Sequence, residues 1–324
     1  GDHRDLHSFP TRRSSDLEFS TPYLLCASDC ESMSLQELLA LDTDAADRFA
    51  ELRLGYTESL GDPELRQAIS ALYDRIRADQ VIVHTGAEEA IFNFMNVAVN
   101  PGDHVIVHTP YYQSLGEVAQ RIGATITQWR ADPARSWELD LEELKAAVTP
   151  RTTVVVVNFP HNPTGFLPGH DFFHELSALS KQHGFIIFSD EVYRGLELDP
   201  SNRLPGMADI NNRAVSLGVM SKTYGLAGLR IGWIASQNTR LLEDVAAFKD
   251  YTTICNSAPS EFLATLALQK SDIIAQRNLQ IIRRNLDLLD TFFVSHADLF
   301  DWCRPKAGSI AFPILLTKNV DQFC

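Results

Sequence analysis

Cysteine is scarce in this chain and arranged against pairing. The five residues Cys26, Cys30, Cys255, Cys303 and Cys324 are scattered, odd in number and include no CxxC, which excludes a disulfide framework and a zinc site built on paired thiolates. A reducing cytoplasm fits that usage. Basic charge is in deficit too: 28 Lys and Arg stand against 42 Asp and Glu, a formal net charge of -14. A nonspecific grip on a polyphosphate backbone needs clustered Lys and Arg, so nucleic acid is excluded as a partner. His170 and His174 stand four apart, as two ligands on one helical face would, but the residue after the first His is Asp171, not the Glu of a zinc-protease motif. No metal is expected. After Arg12-Arg13 no apolar run follows at Glu18-Phe19-Ser20-Thr21, which removes a transit-peptide or twin-arginine targeting reading; no membrane partner is expected.

What is present describes an ordinary soluble globular protein, with 45% hydrophobic and 22% charged residues. At 324 residues the chain exceeds what one hydrophobic core organises, so one large and one smaller domain are predicted. Residues 1–17, GDHRDLHSFPTRRSSDL, resemble a translated sequencing adapter, which implies a missing native N-terminus. The stretch Ala307 to Leu316 reads as a strand, and a sheet with covering helices normally follows such a strand, so the chain is expected to be clipped at this end as well. The expected division is 1–17 non-native, 18–45 an N-terminal segment of the small domain, 46–275 the large domain, and 276–324 the truncated small domain.

Between the ends, two periodicities alternate. Val81 to His84, His104 to His108, Ala124 to Trp129, Thr152 to Asn158, Phe185 to Ser189, Ala214 to Val219 and Ile231 to Ala235 are short apolar or β-branched runs, whereas Ala87 to Val99, Gln113 to Ile122, Leu141 to Val148 and Asp171 to His183 repeat at helical spacing. This predicts an α/β fold with a mostly parallel sheet flanked by helices. A long amphipathic pattern from Asp272 to His296 is placed to link the two domains.

Four stretches fall at predicted strand ends, where sites form in such sheets. They are Thr85-Gly86-Ala87-Glu88-Glu89, Asn158-Phe159-Pro160-His161-Asn162-Pro163-Thr164-Gly165, Ser189-Asp190-Glu191-Val192-Tyr193, and Ser221 to Trp233, reading SKTYGLAGLRIGW. In order and spacing, from about Leu54 to Pro259, they resemble the aspartate-aminotransferase-like, class I/II enzymes of fold type I, which carry pyridoxal phosphate. The resemblance implies that fold, with a smaller, here incomplete, α+β domain, and it implies that cofactor.

The cofactor is an electron sink, so a protein that uses it must hold its aldehyde on a lysine, keep its ring nitrogen protonated, grip its phosphate and orient its ring. Lys222 is the candidate for the Schiff base, with a pKa lowered by desolvation or a nearby cation so that the amine is free to attack. Asp190, ending an apolar strand, is placed to pair with the pyridinium nitrogen, since a buried carboxylate needs a cation. By resemblance, Tyr193 and Asn162 bind the ring hydroxyl oxygen. Gly86, Ala87 and Glu88 lie where a strand gives way to a helix, a ready anion site, with Glu88 contributing its backbone alone. Arg230 supplies a forked guanidinium and Ser221 a hydroxyl. Val219 stands where relatives place a phosphate-binding Ser. Tyr112 matches the ring-stacking aromatic, with Tyr111 its competitor.

The resemblance also implies a homodimer in which Tyr56, followed by Gly61 and Leu65-Arg66, reaches the phosphate of the neighbouring subunit's cofactor. The implied reaction is amino transfer between an L-amino acid and a 2-oxo acid. Another pyridoxal phosphate reaction, β-elimination by a lyase or a biosynthetic cyclisation, stays open, as does a truncated, cofactor-binding fragment without turnover. The arginine that clamps the substrate carboxylate in the family lies beyond residue 324.

Overall fold

The computed structural model describes residues 27–316. Residues 1–17, the start of the 18–45 segment, Cys26, Cys324 and the end of 276–324 lie outside the described residues.

Seven strands form one sheet: β1 (Val81–His84), β2 (His104–Thr109), β3 (Thr125–Arg130), β4 (Thr152–Asn158), β5 (Ile186–Asp190), β6 (Val215–Val219) and β7 (Gly232–Ala235), in the order β1-β7-β6-β5-β4-β2-β3. All neighbours are parallel except β7, which runs antiparallel to β1 and β6. Every run read as a strand in this region forms one, with ends shifted by at most a residue. The central strands are almost wholly buried, Thr153 alone being half-buried in β4 and no residue of β6 exposed, because helices cover both faces and successive side chains feed opposite cores. Val154 and Val156 pack with Ile91, Phe94 and Met95 on one face. Val155 and Val157 pack with Phe173, Leu176 and Leu179 on the other.

The described helices, in chain order, are α1 (Leu35–Leu39), α2 (Ala45–Ala50), α3 (Pro63–Ser70), α4 (Gly86–Ala98), α5 (Ser114–Ile122), α6 (Leu141–Ala147), α7 (His170–His183), α8 (Met207–Ile210), α9 (Thr239–Lys249), α10 (Ala258–Gln269) and α11 (Ser271–Ser295). Local chemistry sets their ends. Pro63 occupies the first turn of α3, where Asp62 accepts from the amides of Glu64 and Leu65 at 2.8 and 3.2 Å. α5 and α7 stop at Gly123 and Gly184, both with positive φ. Among the described residues no helix is long and apolar enough to cross a membrane.

One expectation is corrected. Ala307 to Leu316 is not a continuous strand: only Ile314–Leu315 (β9) pairs, with Phe300–Asp301 (β8), and Ala307 forms a single bridge with Glu197. Gly308, at φ +86, leaves the extended region, and Pro313 withholds the amide a ladder needs. The segment between them runs past Tyr193, whose ring lies 3.6 Å from where a Cβ on Gly308 would stand.

Candidate active site

The sheet brings five loops to one edge. Residues His84 and Val219 both pair with Gly232, Asp190 pairs with Leu217, and Asn158 pairs with Asp190. The C-terminal ends of β1, β4, β5 and β6 and the start of β7 therefore lie side by side, with the end of β2 beyond β4.

Asp190 closes β5 at the middle of this edge and is 5% exposed. Its Oδ1 accepts the Val192 amide at 3.2 Å. Burial is the main cause that raises its carboxyl to about 7; Glu191 and Glu88 push the same way, while the Val192 amide and Lys222 oppose. A carboxylate this deep is costly unless a cation faces it.

Lys222 stands in the loop after β6. Burial depresses the pKa of its amine, Arg230 adds to that, and the negative charges of Asp29 and Asp190 oppose it. Its Nζ donates to Ser28 Oγ at 2.7 Å. Gly225, at φ +66, turns the loop back on itself, and a Cβ there would stand 3.2 Å from the Glu31 carbonyl. That bare approach lets the 28–31 segment lie against the lysine loop. Tyr193 is buried, with its phenol pKa pushed up by burial, and its Oη donates to the Ser28 carbonyl at 3.2 Å.

Asn162 sits in a loop held at both ends. Asn158 Nδ2 donates to the Asp190 carbonyl at 2.9 Å, and the Asn162 amide donates to Asn158 Oδ1 at 2.6 Å. His161 ties this loop to the one after β2. Its Nε2 lies 2.7 Å from the Pro110 carbonyl, which only accepts, so Nε2 carries the proton and Nδ1 accepts from Thr164 Oγ1 at 2.7 Å. Burial pushes this imidazole down to about 4, so it is neutral near pH 7.

The two tyrosines after β2 stand in different surroundings. Tyr111 packs on Gly116 of α5, where a Cβ would stand 2.8 Å from its ring. Tyr112 is 48% exposed and feels the charges of Glu88 and Asp190. Burial raises its phenol pKa, and the nearby Glu88 carboxylate pushes the same way.

The helix α4 begins at Gly86, whose α-carbon faces Arg230. A Cβ on Gly86 would stand 2.5 Å from Arg230 Nη2. On the other side, a Cβ on Gly232 would stand 2.7 Å from the Gly86 carbonyl carbon. Two glycines thus allow strand, helix start and guanidinium to converge. Arg230 itself has φ +51 and donates to the Ala227 carbonyl at 3.3 Å. Ser221, beside Lys222, is buried. Glu89 braces the turn: it accepts from the Thr85 amide at 2.5 Å and from Thr252 and Thr253 hydroxyls at 2.5 and 2.6 Å. Val219 is buried among apolar neighbours.

Lys222, Asp190, Tyr193, Asn162, Tyr112, Glu88, Gly86, Ala87, Ser221 and Arg230 are thus brought to one edge. Tyr56 is not. It is 94% exposed on the rim of a separate cleft of about 530 Å³ that Arg48, Thr57, Glu58, Glu261 and Phe262 also line. Sequence reasoning missed Ser28, Ser309 and the bridging part of His161. The first two lie in irregular segments that carry no periodic or motif signal, and only the folded chain brings Ser28 to Lys222 and Tyr193 and Ser309 to Ser28.

The family model for aminotransferase class I and II matches residues 24–321. The chain belongs to that family. Among its relatives, capreomycidine synthase of Streptomyces vinaceus is 31% identical over 255 residues, covering 79% of this chain and 65% of the relative. The aspartate/prephenate aminotransferase of Thermus thermophilus is 28% identical over 236 residues, covering 67% of this chain and 61% of the relative. The chain thus spans less than two thirds of the length of these two aminotransferase-family relatives. Of the solved structures, a PLP-dependent aminotransferase from Streptococcus suis superposes with a TM-score of 0.90 at 29% identity, covering 97% of this chain and 85% of that one. The PLP-dependent cyclase OrfR gives 0.86 at 28%, covering 95% and 81%. The fold is that of the fold type I PLP-dependent transferases, as the motifs implied.

Proposed function

We propose that this protein is a pyridoxal phosphate-dependent aminotransferase that moves an amino group between an L-amino acid and a 2-oxo acid, with Lys222 as the attachment point. The observation that carries the reading is the pair formed by Asp190 and Lys222 on one sheet edge. A buried carboxyl with no ion-pair partner among the described residues fits a protonated ring nitrogen, and a buried amine with a depressed pKa fits a nucleophile for an aldehyde.

The other groups fit the cofactor part by part. The first turn of α4 and Arg230 suit a phosphate, Tyr112 offers a ring face, and Tyr193 and Asn162 would bind the ring hydroxyl. Bound here, pyridoxal phosphate would supply the aldehyde and the electron-withdrawing ring that stabilises charge at the substrate α-carbon. The protein's own work is then positional and acid-base. Asp190 keeps a proton on the group it faces, and Lys222 Nζ, once released, takes a proton from the α-carbon and later gives it up.

We take the active form to be a homodimer of cytoplasmic location, with Tyr56 of each protomer completing its partner's site. The exposure of Leu54 at 80%, Tyr56 at 94% and Tyr251 at 90% supports a covered surface there. We set the large unit at residues 46–275 and the smaller one on either side of it.

A second reading has an observation of its own. Capreomycidine synthase is among the relatives and the cyclase OrfR among the structural neighbours, so a cyclisation or elimination on an amino acid is the alternative chemistry. Mixing the cofactor-loaded protein with amino donors alone separates the two. Conversion of the bound cofactor to its aminated form, with one equivalent of 2-oxo acid released, supports transfer. Continuous release of ammonia, or a cyclised product, sinks it.

A further inference from the structure

Ser28 belongs to none of the motifs, yet it makes contact with two of the groups at the centre of the site. Its Oγ lies 2.7 Å from Lys222 Nζ and is the amine's one hydrogen-bond partner among the described residues. Its carbonyl accepts from Tyr193 Oη at 3.2 Å and from Ser309 Oγ at 2.8 Å. The flanking chain is also fixed. Cys30 is buried, and Arg277 Nη1 donates to the Glu31 carbonyl at 2.8 Å. Gly225 has no side chain to keep the segment away.

We infer that Ser28 is a positioning residue: its hydroxyl holds the Lys222 amine in the orientation from which Nζ exchanges a proton with the substrate. This rests on the aminotransfer reading above. A neutral amine has two N–H bonds and one lone pair, and it spins freely about Cε–Nζ unless one N–H is anchored. Ser28 Oγ supplies the anchor as an acceptor. The lone pair then has a set direction, and Nζ takes up a proton from the α-carbon to become an ammonium without losing its bond to Oγ, then returns to the neutral amine when it releases that proton. Ser28 stays neutral throughout. The three hydrogen bonds and the close approach at Gly225 hold the anchor rigid, which an orienting group needs.

Two measurements test this, one on the cofactor-free protein. Competitive labelling of Lys222 with acetic anhydride across pH, read by peptide mass, gives the titration midpoint of its amine. An acceptor at 2.7 Å favours the ammonium, so Ser28→Ala is expected to lower that midpoint by about one pH unit, while Ser28→Thr, which keeps the hydroxyl, restores it. In the cofactor-loaded protein, Ser28→Ala is expected to slow exchange of the substrate α-deuteron about tenfold with little change in KM, again rescued by Ser28→Thr. An unchanged midpoint together with unchanged exchange overturns the role. Equal losses in Ser28→Ala and Ser28→Thr, accompanied by a lower melting temperature in both, also overturn it in favour of a packing role. If the unaltered protein carries no cofactor on Lys222, the aminotransfer reading fails, and the labelling arm still decides whether Ser28 anchors the amine.

Discussion

At the scale of single residues, the sheet edge contains a charge the fold does not favour. The Asp190 carboxyl is raised from its ordinary 3.8 to about 7, so between those values the folded chain binds a proton that the unfolded chain has released. Its contribution to stability is full below about pH 4 and is lost as pH rises through 7. In the cofactor-free protein, Asp190→Asn is therefore expected to raise stability at pH 8 by on the order of 2 kcal/mol and to leave it unchanged near pH 4, as urea unfolding at the two pH values would report. The same variant is expected to weaken cofactor binding. Equal stability of the two proteins at pH 8 would mean that the carboxylate has a partner after all. Asp190 and Lys222 were legible in the sequence because each stands in a motif at or just beyond a strand end and few residue types perform their chemistry. Ser28 was not, since its contact joins residues 194 apart in the chain, and no local pattern encodes such a meeting.

At the scale of elements, the corner proposed to hold a phosphate depends on bare backbone. Gly232 on β7 faces the peptide between Gly86 and Ala87, and a Cβ would stand 2.8 Å from the Ala87 nitrogen. Gly232→Ala is expected to cost about 1–3 kcal/mol of stability and to weaken cofactor affinity at least tenfold by displacing the first turn of α4, measured by thermal unfolding and by equilibrium dialysis of pyridoxal phosphate. Retained affinity would separate the α4 turn from phosphate binding. Strands of the sheet were legible because burial on both faces leaves continuous Val and Ile runs such as Thr152–Asn158. Helices were less so. α10 buries Leu263, Ala264, Thr265, Leu266, Ala267 and Leu268 in succession, which erases the one-sided pattern that marks a surface helix. α1 is marked in the sequence by the Ser34 and Glu37 capping box, with the Glu37 amide 3.1 Å from Ser34 Oγ and the Ser34 amide 2.7 Å from Glu37 Oε2. The strand expected over Ala307 to Leu316 failed because apolar composition outvoted Gly308 and Pro313.

At the scale of the whole molecule, a site completed by a second copy makes a specific prediction. Tyr56 stands apart from Lys222 of its own chain. If it serves the partner, Tyr56→Ala and Lys222→Ala protomers, each inactive or weak alone, form a mixed dimer with one intact site. Mixing them under subunit exchange is expected to recover activity toward about a quarter of the unaltered level, by random pairing of two sites per dimer. No recovery despite exchange would place Tyr56 outside the site. Its exposure, unlike the motif match, acquires meaning only with a second subunit present. The central claim is that Lys222 carries the cofactor, and one measurement bears on it most directly. The protein is incubated with pyridoxal phosphate, reduced with borohydride and mapped by peptide mass, with Lys222→Ala alongside. The expected result is a single reduced adduct on Lys222 that is missing from the variant. An adduct elsewhere, or a folded protein with none, would contradict the assignment of this site.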